Sequence, residues 1–151
     1  MCADASTVNR RDQRDEARPR DGDAEGDARC DIGAFELTLT PLFCRGRVAN
    51  ISVSNNTIFG GPDSGTPYTG TLRGTNGNDV IVGTDANDSI NGAGGNDIIC
   101  GGAGRDTLRG GQGNDRLFGE SGRDRLFGGS GRDLCNGGKG RDKVSGCERL
   151  K

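Results

Sequence analysis

A nine-residue repeat in the second half of the chain constrains the fold more than any other feature. Residues 74–145 divide into eight consecutive units of nine residues, without an insertion or a deletion, starting at Gly74. The first position is Gly in all eight units, the sixth is Asp and the eighth is apolar. A flexible segment rich in Gly, Asn and Asp would not keep three residue types in phase eight times. The pattern therefore predicts a repetitive folded structure.

Each unit combines a turn with a short strand. Positions one to six are rich in Gly, which adopts the positive φ angles of tight turns, and they carry Asn or Asp. Positions seven to nine place one apolar side chain between two outward ones, as in a minimal strand. Two units then make one coil, and coils stack at the ~4.8 Å strand spacing, with odd-numbered units on one side and even-numbered units on the other. The expected fold is all-β, a parallel β-roll preceded by a short irregular or β segment.

Stacking of the coils places the position-six carboxylates in two ladders. The first ladder is Asp79, Asp97, Asp115 and Asp133, and the second ladder is Asp88, Asp106, Asp124 and Asp142. Like carboxylates one strand spacing apart repel each other, and a bound cation would remove this conflict. Ca2+ suits the setting because it takes roughly six to eight oxygen ligands from carboxylates and backbone carbonyls.

The phased motif G-G-x-G-x-D-x-U-x, with U apolar, resembles the calcium-binding nonapeptide of RTX (repeats-in-toxin, hemolysin-type) proteins, over about half of the chain. The resemblance implies Ca2+ between the turns of units i and i+2, with at most about six sites. The ligands would be the eight Asp carboxylates and turn carbonyls at positions one and four. The glycines concerned are Gly92, Gly101, Gly110, Gly119, Gly128, Gly95, Gly104, Gly113, Gly122 and Gly131.

The chain departs from the motif at position two, which is Thr75, Thr84, Ala93 and Glu120 in four units, and at position four, which is Ala86 in unit two. The variable position five is Arg105, Arg123, Arg132 and Arg141 in four units and Asn in the others. Residues 74–145 carry ten acidic and nine basic residues, so their formal charge is −1, whereas family members are often strongly acidic. The Arg side chains either weaken the repulsion in the metal-free chain or are simply solvated, and we favour the second interpretation.

The segment before the repeats has a different character. Residues 12–15 (DQRD), 17–23 (ARPRDGD) and 30–36 (CDIGAFE) resemble the closing segment of exported bacterial proteins with a right-handed parallel β-helix, of the choice-of-anchor type. Asp15 stands where Gly is usual, and an unrelated acidic tail is the alternative interpretation. Residues 45–59 suggest a strand through Ile51 and Val53, and residues 60–71 suggest a linker. The expected domains are 1–43, 44–73 and 74–151.

Composition excludes several protein classes. The chain has 151 residues, 30% of them hydrophobic, and a net charge of −2, which disfavours a large core and a nucleic-acid partner. It has no His and no CxxC motif, which disfavours zinc, and no apolar run long enough for a membrane span. No signal peptide is visible, and the six residues after unit eight are too few for a C-terminal secretion signal. We expect the C-terminal part of a longer exported protein, or a mis-started reading frame, with an export signal upstream.

Six Cys in such a sequence favour an oxidising compartment. They allow fifteen pairings, of which the organisation of the chain suggests one. Cys2 and Cys30 flank the polar N-terminal segment, and a Cys2–Cys30 bond would close it. A Cys44–Cys100 bond would join the lead-in (residues 44–73) to the roll, and a Cys135–Cys147 bond would close the end of the roll.

The sequence offers no catalytic motif. A nucleophile elbow, a P-loop and a metalloprotease motif are absent, and the Asp residues are better explained as calcium ligands than as an acid–base pair. We therefore expect a non-enzymatic, calcium-stabilised structural module of a secreted or cell-surface bacterial protein. The alternatives are a calcium-dependent adhesive or ligand-binding module and the C-terminal fragment of a polysaccharide-active enzyme. Phe118 and Phe127 are predicted on opposite sheets, so they form no aromatic array.

Overall fold

The computed structural model describes residues 42–149, and all of the regular structure in that range is β-strand. The strands are β1 (Phe43–Cys44), β2 (Arg47–Val48), β3 (Ser52–Ser54), β4 (Thr57–Phe59), β5 (Thr71–Arg73), β6 (Val80–Val82), β7 (Ser89–Gly94), β8 (Ile98–Gly104), β9 (Thr107–Gln112), β10 (Arg116–Gly122), β11 (Arg125–Ser130), β12 (Leu134–Asn136), β13 (Lys139–Gly140), β14 (Lys143–Ser145) and β15 (Glu148–Arg149). Over these residues there is no helix with the length and apolar character that crossing a membrane requires.

Two parallel sheets form the roll. The first sheet has the strand order β15-β12-β10-β8-β6, and β13 also pairs with β10. The second sheet has the order β14-β11-β9-β7-β5. The strand segments at positions seven to nine of odd-numbered units lie in the first sheet, and those of even-numbered units lie in the second. The predicted parallel β-roll is therefore confirmed, including the assignment of alternate units to opposite sides.

The core is formed by the position-eight side chains, which both sheets contribute. Neighbouring strands are offset by one coil, so Ile81 lies beside Ile99, and Leu117 lies beside Cys135. Seven of the eight position-eight side chains are fully buried, and the last one, Val144, is partly buried. The thin core follows directly from one inward side chain per nine residues.

The central strands are longer than the three residues predicted. β7 to β11 span six or seven residues each, because the start of the next unit stays hydrogen-bonded to the neighbouring coil. This continuation requires positive φ angles at positions two and four. Gly113 at position four has φ 122°, and a Cβ there would lie 1.9 Å from the carbonyl oxygen of Gly95. Ala93 and Glu120 accept the positive φ at position two, at 78° and 71°.

The lead-in continues the roll and does not merely link to it. Ile51 forms a parallel bridge with Ile81, and Ile51 and Ile58 join the main core. β5 already belongs to the second sheet, and its Leu72 is fully buried. The roll therefore begins one strand before the predicted boundary at residue 74. The predicted strand within residues 45–59 is in fact spread over the hairpins β1–β2 and β3–β4, and β1 crosses the predicted boundary between residues 43 and 44.

A second apolar cluster lies on the outer face of the first sheet. Cys44 on β1 packs there with Ile98, Cys100 and Phe118, all buried. Phe118 and Phe127 lie in opposite sheets, as predicted, and Phe127 is partly exposed. The lead-in thus covers one outer face as well as the start of the core.

Disulfides fix both ends of the roll. Cys44 is bonded to Cys100, with Cα atoms 5.8 Å apart, and Cys135 is bonded to Cys147, with Cα atoms 5.7 Å apart. Both predicted pairings are confirmed. The proposed Cys2–Cys30 bond and the β-helix-like segment lie outside the described residues and stay predictions.

Candidate metal centre

The eight repeated Asp side chains lie at the turns, in the two ladders expected from the spacing. Seven of the eight are buried, with exposed fractions of 3% or less. Asp142, the last, is partly buried. Burial of charged groups on this scale requires partners or counter-ions, because an isolated buried carboxylate is strongly destabilising.

In six of the eight ladder Asp residues, Oδ1 accepts a hydrogen bond from a backbone N–H of the neighbouring coil. The backbone N–H of Asp97 donates to Oδ1 of Asp115 at 2.9 Å, and the N–H of Asp115 donates to Oδ1 of Asp133 at the same distance. The second ladder repeats this contact from Asp88 to Asp106, from Asp106 to Asp124 and from Asp124 to Asp142. The side chains are therefore held in one orientation down each ladder.

The other oxygen, Oδ2, is buried without a hydrogen-bond partner in five of these residues. Among the described residues this applies to Asp97, Asp106, Asp115, Asp124 and Asp133. An unpaired buried polar atom costs roughly 1–3 kcal/mol, and more when the group is charged. Five equivalent orphan oxygens in register indicate a missing partner that recurs once per turn.

The glycine at position one makes room for this oxygen. Oδ2 of Asp97 and the carbonyl oxygen of Gly110 lie 2.2 and 2.5 Å from the point that a Cβ of Gly92 would occupy. The next coil of the first ladder repeats the distances, with Oδ2 of Asp115 at 2.2 Å and the carbonyl of Gly128 at 2.5 Å from the corresponding point of Gly110. Carboxylate and carbonyl oxygens thus converge in front of each position-one glycine. Gly101, Gly119 and Gly128 show the same pairing of oxygens.

The glycines at position four lie on the other side of the carboxylate. The carbonyl oxygen of Gly104 and Oδ1 of Asp124 lie 1.5 and 3.1 Å from the point that a Cβ of Gly122 would take. In the odd-numbered turns the carbonyl of Gly95 approaches Gly113, and that of Gly113 approaches Gly131, each beside an Asn Oδ1. The structure therefore brings the carbonyl oxygens of the position-one glycines close to the unpaired Asp Oδ2 atoms. It brings the carbonyl oxygens of the position-four glycines close to the side-chain Oδ1 atoms that accept hydrogen bonds between coils.

The ladders begin with a hydrogen-bonded cap that the sequence interpretation missed. The backbone N–H and hydroxyl of Thr75 donate to Oδ2 of Asp79 at 2.7 and 2.9 Å, and Asn50 Nδ2 donates to its Oδ1 at 2.7 Å. Thr84 and the Tyr68 hydroxyl make the corresponding contacts with Asp88. Both oxygens of each first Asp are therefore satisfied by protein. Thr at position two was the visible signal, whereas Asn50 and Tyr68 act from 29 and 20 residues away.

Burial dominates the electrostatics of the ladders. Burial, with a smaller contribution from the neighbouring ladder carboxylates, raises the pKa of Asp97 to about 6 and the pKa of Asp106 to about 7. Burial also raises the pKa of Asp88, Asp115 and Asp124. Hydrogen bonds from backbone N–H groups oppose the rise in every case. Without a cation the ladders therefore hold their protons more tightly than ordinary carboxyls do.

Side chains alone do not form a complete metal site. Within residues 42–149, no group of three or more His, Cys, Asp or Glu side chains is close enough to hold a metal ion. Each turn contributes one ladder carboxylate, so any bound cation needs backbone carbonyl oxygens as well. This ligand chemistry, all oxygen and partly main-chain, is the kind that Ca2+ accepts.

Comparison with known families agrees with this geometry. Residues 73–108 and 109–144 each match the model of the RTX calcium-binding nonapeptide repeat (4 copies). Residues 73–144 belong to the RTX repeats. The repeats of this family bind Ca2+, so the β-roll is a calcium-binding one. No curated protein and no solved structure matches the chain.

The RTX residues present here fit calcium on structural grounds. The orphan Oδ2 atoms and the carbonyls in front of the position-one glycines supply oxygen ligands of the right type. Bound Ca2+ would supply positive charge between coils and replace the missing hydrogen-bond donor. The part played by each individual Asp and Gly in the binding stays a prediction.

Proposed function

We propose that the RTX roll is a calcium-stabilised structural module of an exported or cell-surface protein, and that it catalyses no reaction. The observation that carries the proposal is the set of five buried Oδ2 atoms, three in the first ladder and two in the second, that have no partner among the described residues. A cation between two coils satisfies such oxygens and ties the coils together. Its binding free energy then becomes part of the folding free energy.

The thin core supports this dependence on calcium. Each nine-residue unit contributes one side chain to the main cluster, and the last of these, Val144, is only partly buried. A core of this kind offsets little of the conformational entropy lost when the turns become ordered. The ladder carboxylates are the candidates for acid–base catalysis, but the fold requires their charge to be neutralised. This requirement favours a structural role over catalysis.

The cysteine pairs support an oxidising compartment. Two disulfides close loops with sequence separations of 56 and 12 residues, and such bonds persist mainly in exported proteins. Calcium outside the cytosol reaches roughly the millimolar range in which weak extracellular modules bind it. An exported roll would therefore meet both conditions that its structure favours.

The proposal is tested on the full chain, purified from an oxidising host. Urea unfolding is followed by far-ultraviolet circular dichroism in chelator, in calcium and in magnesium at equal ionic strength. We expect chelator to lower the β signal or the urea midpoint, and calcium alone to restore it, because Mg2+ demands octahedral geometry and gives up water reluctantly. Equal urea midpoints in chelator and calcium would contradict a stabilising role.

A further inference from the structure

The Arg side chains on one edge of the roll have no role in calcium binding, and we propose that this basic edge binds a linear, carboxylate-bearing polysaccharide. The edge is formed by the turns of the even-numbered units, where Arg105, Arg123 and Arg141 occupy position five one coil apart. The proposal rests on the folded, calcium-loaded roll of the proposed function and adds a ligand class to it.

The two rows of turns differ at this position. In the odd-numbered turns Oδ1 of Asn78 accepts the backbone N–H of Asn96 at 2.7 Å, and Oδ1 of Asn96 accepts that of Asn114 at 2.8 Å. In the even-numbered turns Asn87 makes this contact once, to the N–H of Arg105. The series ends there, because an Arg side chain has no acceptor.

The Arg row therefore does not strengthen the roll. It gives up a repeated hydrogen bond, and it stacks three like charges at the ~4.8 Å spacing of the coils. Within residues 42–149 the one ion pair is Arg132 with Glu148, at 3.9 Å, and it lies at the other row of turns. A row of cations that weakens the fold and lacks partners in the described chain is suited to an external row of anions.

The Arg row lines an open cleft. Arg125 and Lys143 are register partners on neighbouring strands of the second sheet, and their exposed side chains extend the basic surface beside the turns. The cleft has a volume of about 110 Å3. Its lining residues are Arg105, Arg123, Asp124, Arg125, Arg141 and Lys143. Five of these six residues are basic and exposed, so the cleft presents a continuous positive surface.

The chemistry of the lining selects the ligand. Guanidinium groups bind carboxylates through two parallel hydrogen bonds, and a regular row of them matches a polymer with one carboxylate per sugar. The lining contains no aromatic side chain on which a nucleic-acid base could stack. It also contains no apolar side chain that could enter a lipid surface. A uronic-acid polysaccharide fits the cleft better than either alternative.

Calcium and the polysaccharide are coupled through charge. Asp124 is the one acidic residue of the cleft, and it is also a ladder residue with an orphan Oδ2. Residues 74–145 carry a formal charge of −1, so one bound Ca2+ already makes the roll positive. The calcium-loaded roll should therefore bind the polyanion more tightly than the metal-free chain does.

The experiment compares two triple variants of the full chain in calcium. R105Q/R123Q/R141Q removes the row, and R73Q/R116Q/R132Q removes the same charge from exposed positions outside the cleft. Binding of a short oligogalacturonate is measured by calorimetry, with a neutral malto-oligosaccharide as the control sugar. We expect the row variant to bind about tenfold more weakly or worse, and the matched variant to stay within about threefold of the parent.

Several outcomes would overturn the proposal. Equal losses in both variants would indicate unspecific charge attraction, and tighter binding of oligothymidylate would indicate a nucleic-acid surface. If the calcium-loaded parent does not bind oligogalacturonate, the proposed polysaccharide binding is refuted, whereas the proposed structural role is not affected. A parent that binds no calcium in a parallel titration would instead refute the proposed function. Unchanged circular dichroism and calcium stoichiometry in both variants shows that any loss is not due to unfolding.

Discussion

Replacing Asp115 by Asn should change the free energy of unfolding in opposite directions in the metal-free and the calcium-loaded roll. Oδ1 of Asp115 accepts the N–H of Asp97 at 2.9 Å, and an Asn side chain keeps this acceptor. Its Oδ2 has no partner in the described chain, and it converges with the carbonyl oxygen of Gly128 in front of Gly110. The substitution places an N–H donor beside that carbonyl and removes a buried charge.

The size of each effect follows from these contacts. Without calcium, satisfying one buried polar atom should raise the free energy of unfolding by about 1–3 kcal/mol. In calcium, Asp115 would contribute to two predicted sites of the first ladder, one towards Asp97 and one towards Asp133. Replacing Asp115 should therefore weaken two sites. At free calcium 100 times Kd, each lost site removes about 2.7 kcal/mol of stabilisation. The variant should therefore be more stable than the parent in chelator and less stable in calcium.

The assay is urea unfolding of the full chain at a series of free calcium concentrations. A urea m-value of about 1–3 kcal/mol/M makes a change of 2 kcal/mol visible as a midpoint shift of roughly 1 M. Asp85→Asn is the matched control, because Asp85 is exposed in a turn and outside both ladders. It should change neither midpoint appreciably.

Two results would refute the reasoning. An Asp115→Asn variant that is less stable in chelator would mean that Oδ2 has a stabilising partner in the metal-free roll. Unchanged calcium stabilisation would mean that Asp115 is not a ligand. Asp142→Asn, at the partly buried end of the second ladder, should lose less calcium per molecule than Asp115→Asn. An equal or larger loss would count against the stacked arrangement of sites.

Three further predictions follow from the same contacts. Burial raises the pKa of Asp97 to about 6 and that of Asp106 to about 7, so the stability that these residues contribute to the metal-free roll is present below about pH 4 and is lost as the pH rises through 6 to 7. Urea midpoints measured without calcium should therefore be higher at pH 5 than at pH 8. Calcium affinity should instead rise with pH, because the carboxylates must lose their protons to bind the cation. Gly110→Ala should destabilise the roll by about 1–3 kcal/mol, because its Cβ would meet Oδ2 of Asp115 at 2.2 Å, whereas Gly77→Ala, with its nearest atom at 3.5 Å, should have little effect on thermal unfolding. Replacing Cys44 and Cys100 by Ser should lower the free energy of unfolding by about 4 kcal/mol, and replacing Cys135 and Cys147 should lower it by about 3 kcal/mol. The difference follows from the sequence separations of 56 and 12 residues that the two bonds close. The opposite order in urea unfolding would argue against loop entropy as the cause.

Local periodicity was sufficient for the repeated part of the molecule. A unit of nine residues with Gly, Asp and an apolar residue in phase leaves one way to bury the apolar side chains, which is to stack alternate units. The two sheets, the two Asp ladders and the core of Ile81, Leu108 and their equivalents were therefore predictable. The two disulfides were also predictable, because Cys100 and Cys135 lie at defined positions in that periodic frame, and Cys44 and Cys147 lie in the segments just before and after it.

The tertiary structure alone decided how the ladders begin and what each carboxylate oxygen meets. Asn50 and Tyr68 complete the first coil from outside the repeat, and contacts across 29 and 20 residues leave no local pattern in a sequence. The division of each Asp into one hydrogen-bonded and one orphan oxygen depends on side-chain orientation within stacked turns. The basic cleft likewise arises because stacking aligns Arg residues that are 18 positions apart in the sequence. Sequence by itself determined the repeat and its two-sided stacking, since these follow from local chemistry. The caps, the orphan oxygens and the cleft needed the three-dimensional structure, since they arise only when distant coils meet.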